Sequence, residues 1–116
     1  MDIYHIYCDL KPGVKDMEFA DSVRSYFAYL KDQGLIEGSR ITRRKLGLGP
    51  DDGTEFHMWL ETRDLSQLDA AFNHVSSRSE PVESFHHAVN SKVANVKFTL
   101  YRDFPDPERK RGEEKF

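Results

Sequence analysis

The chain has 116 residues, 38% of them hydrophobic and 32% charged, with a formal net charge of -3 at neutral pH. This length and composition predict one soluble globular domain with a single core. The negative charge gives no general attraction to nucleic acid or anionic membranes, and no stretch approaches the ~18 apolar residues that a membrane span needs.

The first strand and the first helix can be predicted from residue type and spacing. Residues 2–10 are rich in β-branched and aromatic side chains, which is typical of a strand, and Cys8 within them is expected to be a small core residue. Because this single cysteine cannot form an internal disulfide and the N-terminus lacks a signal peptide, we expect a reducing, cytoplasmic setting. Apolar residues at helical spacing predict a helix over 16–33, with Asp16 as N-cap and Gly34 as a left-handed stop.

The next segment predicts a hairpin whose second strand has two different faces. A strand is expected over 36–48 and another over 55–62, and the dense turn residues at 49–53 indicate that the two strands pair. Because strand side chains alternate, one face of the later strand is an ordinary core face. The opposite face carries Glu55, His57, Trp59 and Glu61.

The second half of the chain predicts two helices and a last strand. Asp64 to Gln67 resembles a capping box and begins an amphipathic helix that runs to about Val75. Pro81 suits the first turn of a short third helix, and a strand follows over 93–101. We divide the chain into a folded domain, residues 1–102, and a charged C-terminal arm or disordered tail, residues 103–116.

The order β-α-β-β-α-(α)-β predicts an α+β fold of the ferredoxin-like type. Right-handed crossovers place four antiparallel strands in the spatial order 4-1-3-2, with the helices on one face. The other face is then uncovered and carries aromatic and polar side chains, which usually marks an interface or a ligand site. The side chains expected there are Ile3, His5, Tyr7, Asp9, His57, Trp59, Glu61, Lys97, Thr99 and Tyr101.

Residues 2–102 resemble the dimeric α+β-barrel superfamily of ferredoxin-like domains. The resemblance lies in the element order, the domain length and the short helix around residues 81–89 that precedes the last strand. This superfamily includes the antibiotic-biosynthesis monooxygenases, the ethyl-tert-butyl-ether-degradation proteins and the stress-responsive barrels. The resemblance implies a homodimer that buries its uncovered sheet faces and a small molecule held between sheet and helices. It also implies cofactor-independent oxidation in some members and no known activity in many.

His5 and His57 are the candidate catalytic pair. Both lie on the uncovered face of neighbouring strands, and a register that brings them opposite would place their Cβ atoms ~5 Å apart. Asp9 and Glu61 on the same face could complete a constellation for acid–base chemistry or a metal. No HxH or HExxH spacing supports a metal, so we predict neither a metal nor a cofactor. The alternative is a polar barrel interior without chemistry.

The candidate substrate-binding residues combine an aromatic lining with a basic rim. Trp59, Tyr7 and Tyr101 would line a cavity for an apolar ligand, and Arg43 and Lys45 would bind an anionic group such as a carboxylate. The combination suits an aromatic or fatty acid. The alternatives are packing across a dimer interface and a solvated basic edge strand.

Three functions are compatible with this pattern. The first is a homodimer that binds a small, partly apolar molecule, with or without oxidative or isomerase chemistry, so whether the protein is an enzyme stays open. The second is a structural or regulatory dimer without a ligand. The third is an RNA-recognition motif, which has the same element order. The strand around His57 lacks the basic-Gly-aromatic signature of that motif, and Glu55 and Glu61 would repel phosphates, so we expect no nucleic-acid partner.

Overall fold

Four antiparallel strands form one sheet in the order β2-β3-β1-β4, in a computed structural model that describes residues 1–112. This order is the predicted 4-1-3-2 arrangement, and with the helices it gives the ferredoxin-like fold expected from the sequence. Within the described residues no helix has both the length and the apolar character to cross a membrane. The elements are β1 (Asp2–Leu10), α1 (Asp16–Asp32), β2 (Gly38–Arg43), β3 (Phe56–Thr62), α2 (Leu65–Ser76), α3 (Val82–Asn90) and β4 (Val93–Arg102).

The core lies between the helices and one face of the sheet. The register aligns Ile6 with Met58 on β3 and with Phe98 on β4, so these side chains share the helix-facing side, as predicted from strand alternation. Cys8 on the same side is fully buried, and burial raises the pKa of its thiol to about 11. A thiol with this pKa is not ionised at neutral pH, which agrees with a core role rather than a nucleophilic one.

The start of α1 differs from the prediction, whereas its end agrees. Asp16 was expected to be the N-cap, but Lys15 occupies that position without a side-chain cap hydrogen bond, and Asp16 is the first helical residue. The prediction is wrong because the Asp16 carboxylate binds Arg43 of β2 at 2.9 Å. At the other end Gly34 has a φ of +72°, the left-handed conformation predicted for the stop.

The second strand is shorter than the expected span of 36–48. It ends at Arg43 because Leu46 and Gly47 both have positive φ angles, which a strand cannot accommodate. Lys45 therefore lies in the loop between β2 and β3, exposed to solvent. The two strands still pair directly and antiparallel, as the turn residues indicated.

The N-terminus of α2 has the predicted cap, with a variation. The Asp64 side chain accepts a hydrogen bond from the backbone N–H of Gln67 at 2.8 Å. The Gln67 side chain accepts from the backbone N–H of Arg63, whereas in a capping box it would accept from the N–H of Asp64.

Replacing Asp64 by alanine should lower the free energy of unfolding by ~1 kcal/mol, since it leaves a helix N–H without its partner. Urea unfolding measures this; Asp69→Ala on the exposed side of the same helix is the control and should change stability less.

Beyond β4 the chain continues without a helix or strand to residue 112. The N–H of Asp103 binds the carbonyl of Met1 at 3.0 Å, and the Asp103 carboxylate lies 3.2 Å from the N-terminal ammonium group. The beginning of the predicted arm therefore lies against the start of β1. Residues 113–116 fall outside the described residues, and the division of the chain at residue 102 stays a prediction.

Candidate functional site

The sheet face opposite the helices, which we call the open face, carries a continuous layer of aromatic rings. The Tyr7 ring stacks on His57 with centroids 4.4 Å apart, and the Tyr101 ring meets His5 edge-on at 5.0 Å. Trp59 completes the layer, 5.3 Å from the His57 ring. Sequence alternation placed these side chains on one face, and the structure brings all five together.

His5 and His57 are diagonal neighbours rather than a directly opposed pair. The register places His5 opposite Trp59 and Tyr7 opposite His57. The rings nevertheless lean towards each other, and His5 Nδ1 lies 2.8 Å from His57 Nε2, within hydrogen-bond distance. Desolvation by burial lowers the pKa of His5, and burial together with the neighbouring His5 lowers the pKa of His57. Both rings therefore favour the neutral state, in which one nitrogen donates and the other accepts.

The two carboxylates of the open face do not join this pair. Asp9 accepts hydrogen bonds from the Asn95 amide and from the backbone N–H of Glu55, and these bonds lower the pKa of the Asp9 carboxyl. Glu61 accepts from the Trp59 indole N–H at 3.0 Å. The expected His-carboxylate constellation is thus not formed, and residues 1–112 contain no group of three or more His, Cys, Asp or Glu arranged to hold a metal ion.

The basic residues of the predicted rim lie away from the aromatic layer. Arg43 pairs in register with Phe56, which belongs to the helix-facing side, and its guanidinium binds both Glu55 and Asp16. It therefore does not join the open face. The basic residue that does is Arg40, whose guanidinium carbon lies 5.7 Å from the centroid of the Trp59 ring. Arg40 was not predicted, because residue spacing alone does not decide which face each side chain of β2 occupies; the pairing with β3 decides it.

The histidine pair predicts a pH dependence of stability. Because the pKa of each histidine is lowered in the folded protein, the unfolded chain takes up protons first as the pH falls below about 6.5. The free energy of unfolding should therefore fall with pH from that value down through the folded-state pKa values. When both histidines are protonated, they also lose the hydrogen bond between their rings, because every ring nitrogen is then a donor.

Urea unfolding at fixed protein concentration, from neutral to mildly acidic pH, measures this effect. The wild type should lose stability more steeply with falling pH than His57→Gln does. His87→Gln, which changes an exposed histidine of α3, should keep the wild-type slope. Equal slopes for wild type and His57→Gln would contradict the role given to the pair.

A cavity lies on the other side of the sheet, between the strands and all three helices of the described residues. Its volume is about 240 Å³, and its wall is predominantly apolar. We call it the apolar cavity. Its lining residues are Tyr4, Ile6, Cys8, Tyr26, Phe27, Leu30, Met58, Leu60, Leu68, Ala71, Phe72, Val75, His86, Val89, Asn90, Val93, Val96 and Phe98.

A few polar groups interrupt this wall. His86 of α3 is half-buried and meets the Tyr26 ring edge-on at 5.9 Å. Burial raises the pKa of the Tyr26 hydroxyl to about 12, so the phenol of this cavity-lining residue stays protonated and keeps its O–H donor. The Tyr4 hydroxyl and the Asn90 amide are further polar groups of the lining residues.

None of the seven predicted catalytic and substrate-binding residues lines the apolar cavity. His5, His57, Tyr7, Trp59 and Tyr101 lie on the open face, Arg43 lies against α1, and Lys45 lies in the loop after β2. Tyr26 was missed because it looks like an ordinary member of an amphipathic helix. For the adjacent pair His86-His87 the sequence predicted that one ring faces solvent and the other the sheet rim, without deciding which; His86 is the one that lines the cavity, and His87 is exposed.

The fold of this chain is similar to that of several solved structures whose sequences differ strongly from its own. A protein from Arabidopsis thaliana, At3g17210, superposes with a TM-score of 0.73 at 8% identity over 89% of this chain and 95% of that one. SnoaB, a cofactor-independent oxygenase from Streptomyces nogalater, gives a TM-score of 0.68 at 9% identity over 93% and 97%. A dimeric ferredoxin-like protein of unknown function from Jannaschia gives 0.56 at 13% identity over 89% and 100%. At these identities the similarity shows the fold alone.

The sequence comparisons give one match. A family described as a family of unknown function (DUF6614) matches residues 1–116. No curated protein sequence matches the chain significantly.

Proposed function

The chain belongs to the family of unknown function DUF6614, and we propose that it is a homodimeric barrel protein that binds a small, predominantly apolar molecule. The apolar cavity between the sheet and the helices is the observation that carries this proposal. Binding sites for small molecules are typically concave, largely apolar and furnished with a few polar groups that orient the ligand.

The volume of the cavity limits the ligand. A dry cavity of ~150 Å³ is enough for benzene, so about 240 Å³ accommodates a substituted aromatic ring or a chain of about eight carbons. No Lys or Arg is among the lining residues, so the part of the ligand that lies inside is uncharged. Tyr26 and His86 would orient it through one polar atom.

The open face supports the homodimer. Its layer of rings has no helix over it within residues 1–112, and Tyr101 on this face is 60% exposed in the single chain. Two sheets that pack face to face lie ~10 Å apart and bury such side chains between them. The structurally similar protein from Jannaschia is described as dimeric, which is consistent with this arrangement.

Acid–base chemistry on the bound ligand is the catalytic extension of this proposal. His86 is an imidazole at the cavity wall, and histidine is the side chain best suited to move protons near neutral pH. One structural neighbour is a cofactor-independent oxygenase, so oxidative chemistry is compatible with the fold. His5 and His57 remain candidates for catalysis only if a second ligand enters between the two sheets.

Native mass spectrometry of gently purified protein tests the proposal, because it reports subunit number and retained ligand together. We expect a dimer carrying an additional small mass, or a dimer that acquires one on incubation with octanol or a substituted phenol. A monomer would contradict the barrel. A dimer that neither retains nor acquires a ligand would instead favour a structural or regulatory role.

A further inference from the structure

A second, more polar hollow lies at the junction of α2 and α3, next to the apolar cavity, and we call it the outer hollow. It measures about 550 Å³ and shares four wall residues with the apolar cavity: Phe72, Val75, His86 and Asn90. The two spaces are therefore neighbours along these side chains. The remaining residues around the outer hollow are Asn73, Ser76, Arg78, Glu83 and His87.

Arg78 is the one Arg or Lys that lines the outer hollow, and within the described residues it has no carboxylate partner. Within residues 1–112 no acidic side chain forms an ion pair with it, whereas Arg43, Arg63 and Arg102 each bind at least one carboxylate. Its φ angle of +55° is also unusual for a residue other than glycine. This left-handed residue lies in the connection between α2 and α3, and from there Arg78 lines the outer hollow.

Most of the other polar groups around the outer hollow can donate a hydrogen bond as well as accept one. Asn90 offers an amide, and His86 and His87 offer ring N–H groups, in addition to the five N–H donors of Arg78. The one carboxylate of the lining is Glu83, in the first turn of α3, and it too forms no ion pair among the described residues. A carboxylate head group therefore finds hydrogen-bond donors here together with the charge of Arg78, with Glu83 as an opposing charge.

We propose that the ligand is an amphiphilic monocarboxylic acid, with its apolar part in the apolar cavity and its carboxylate in the outer hollow against Arg78. The inference rests on the proposed function, because it assumes that the apolar cavity is a binding site. It keeps the acidic ligand suggested by the sequence but assigns the cationic contact to Arg78 instead of Arg43 and Lys45. Arg78 fits this role because it lines the outer hollow next to the apolar cavity and its guanidinium can bind a carboxylate with two parallel hydrogen bonds.

A pair of ligands that differ only in the head group tests this assignment. Octanoate and 1-octanol have the same chain, so their affinities, measured by competition with a neutral fluorescent probe, isolate the contribution of the carboxylate. Arg78→Gln should weaken octanoate binding about fivefold, the upper range for a solvent-accessible ion pair, and should leave octanol unchanged. Glu83→Gln should strengthen octanoate binding, because it removes the opposing charge. Arg24→Gln, an exposed arginine of α1 that lines neither space, is the matched control.

The outcomes separate this inference from the proposed function. If octanol and octanoate bind the wild type and Arg78→Gln weakens both equally or neither, the carboxylate does not lie against Arg78 and the inference is overturned, while the cavity remains a binding site. If Glu83→Gln leaves octanoate affinity unchanged, the carboxylate is not in the outer hollow. If neither compound binds the wild type, the proposed function fails and the inference fails with it.

Discussion

Replacing Ala71 by phenylalanine should reduce binding of a small neutral apolar probe, such as 1-naphthol, at least tenfold. Ala71 is 4% exposed and faces the apolar cavity from α2, so the added ring would occupy space that the ligand needs. A cavity of about 240 Å³ has room for that ring, so we expect the free energy of unfolding to change by less than about 1 kcal/mol. Fluorescence titration and thermal unfolding of the same samples measure the two effects.

The neighbouring residue provides a matched control for this prediction. Ala70 lies on the same helix and is exposed, so Ala70→Phe adds the same ring without entering the cavity. It should keep wild-type affinity for the probe. If both variants bind the probe equally well, the apolar cavity is not the binding site. If Ala71→Phe fails to fold, the smaller Ala71→Leu should still weaken binding relative to Ala70→Leu.

Replacing Trp59 by alanine should weaken dimerisation while leaving probe binding unchanged. Trp59 lies on the open face between His57 and Arg40 and does not line the apolar cavity. A Trp at the centre of an interface typically contributes ~2 kcal/mol or more, so the dimer dissociation constant should rise about thirtyfold. Sedimentation equilibrium over a range of protein concentrations measures this constant.

An exposed apolar residue on the helix layer serves as the control. Met17 of α1 is 62% exposed and lies away from the open face, so Met17→Ala should not change the dimer constant. Unchanged dimerisation of Trp59→Ala would mean that the open face is not the interface. The expected results for Trp59→Ala and Ala71→Phe together would assign dimerisation to the open face and ligand binding to the helix-facing side. Each variant should change only one of the two measured affinities.

Alternation along the strands was enough to predict the composition of each sheet face. The side chains expected on the uncovered face lie opposite Ile6, Met58 and Leu100, which face the helices, because a period of two follows from the geometry of the extended chain. The strand order also followed from the element order, because right-handed crossovers leave few topologies. These properties are local or topological, so residue type and spacing specify them.

The contacts among the candidate site residues depend on register and helix placement. Whether His5 and His57 meet depends on a register that alternation does not fix, and Asp9 is held by Asn95, at a position where β1 and β4 shift register. The phase of β2 likewise became clear only from its pairing, which turned Arg43 towards α1. A one-residue change in register moves every side chain of a strand to the other face.

The sequence by itself determined the ferredoxin-like element order and the open face that carries Trp59, because both follow from local periodicity. Only the tertiary structure shows which residues line the two spaces, since the apolar cavity forms where three helices meet one sheet and the outer hollow forms where α2 meets α3. The helical pattern of Tyr26 or His86 predicts burial but not a gap in the packing beside them. Arg78, in the short connection between α2 and α3, comes to line the outer hollow only through the fold.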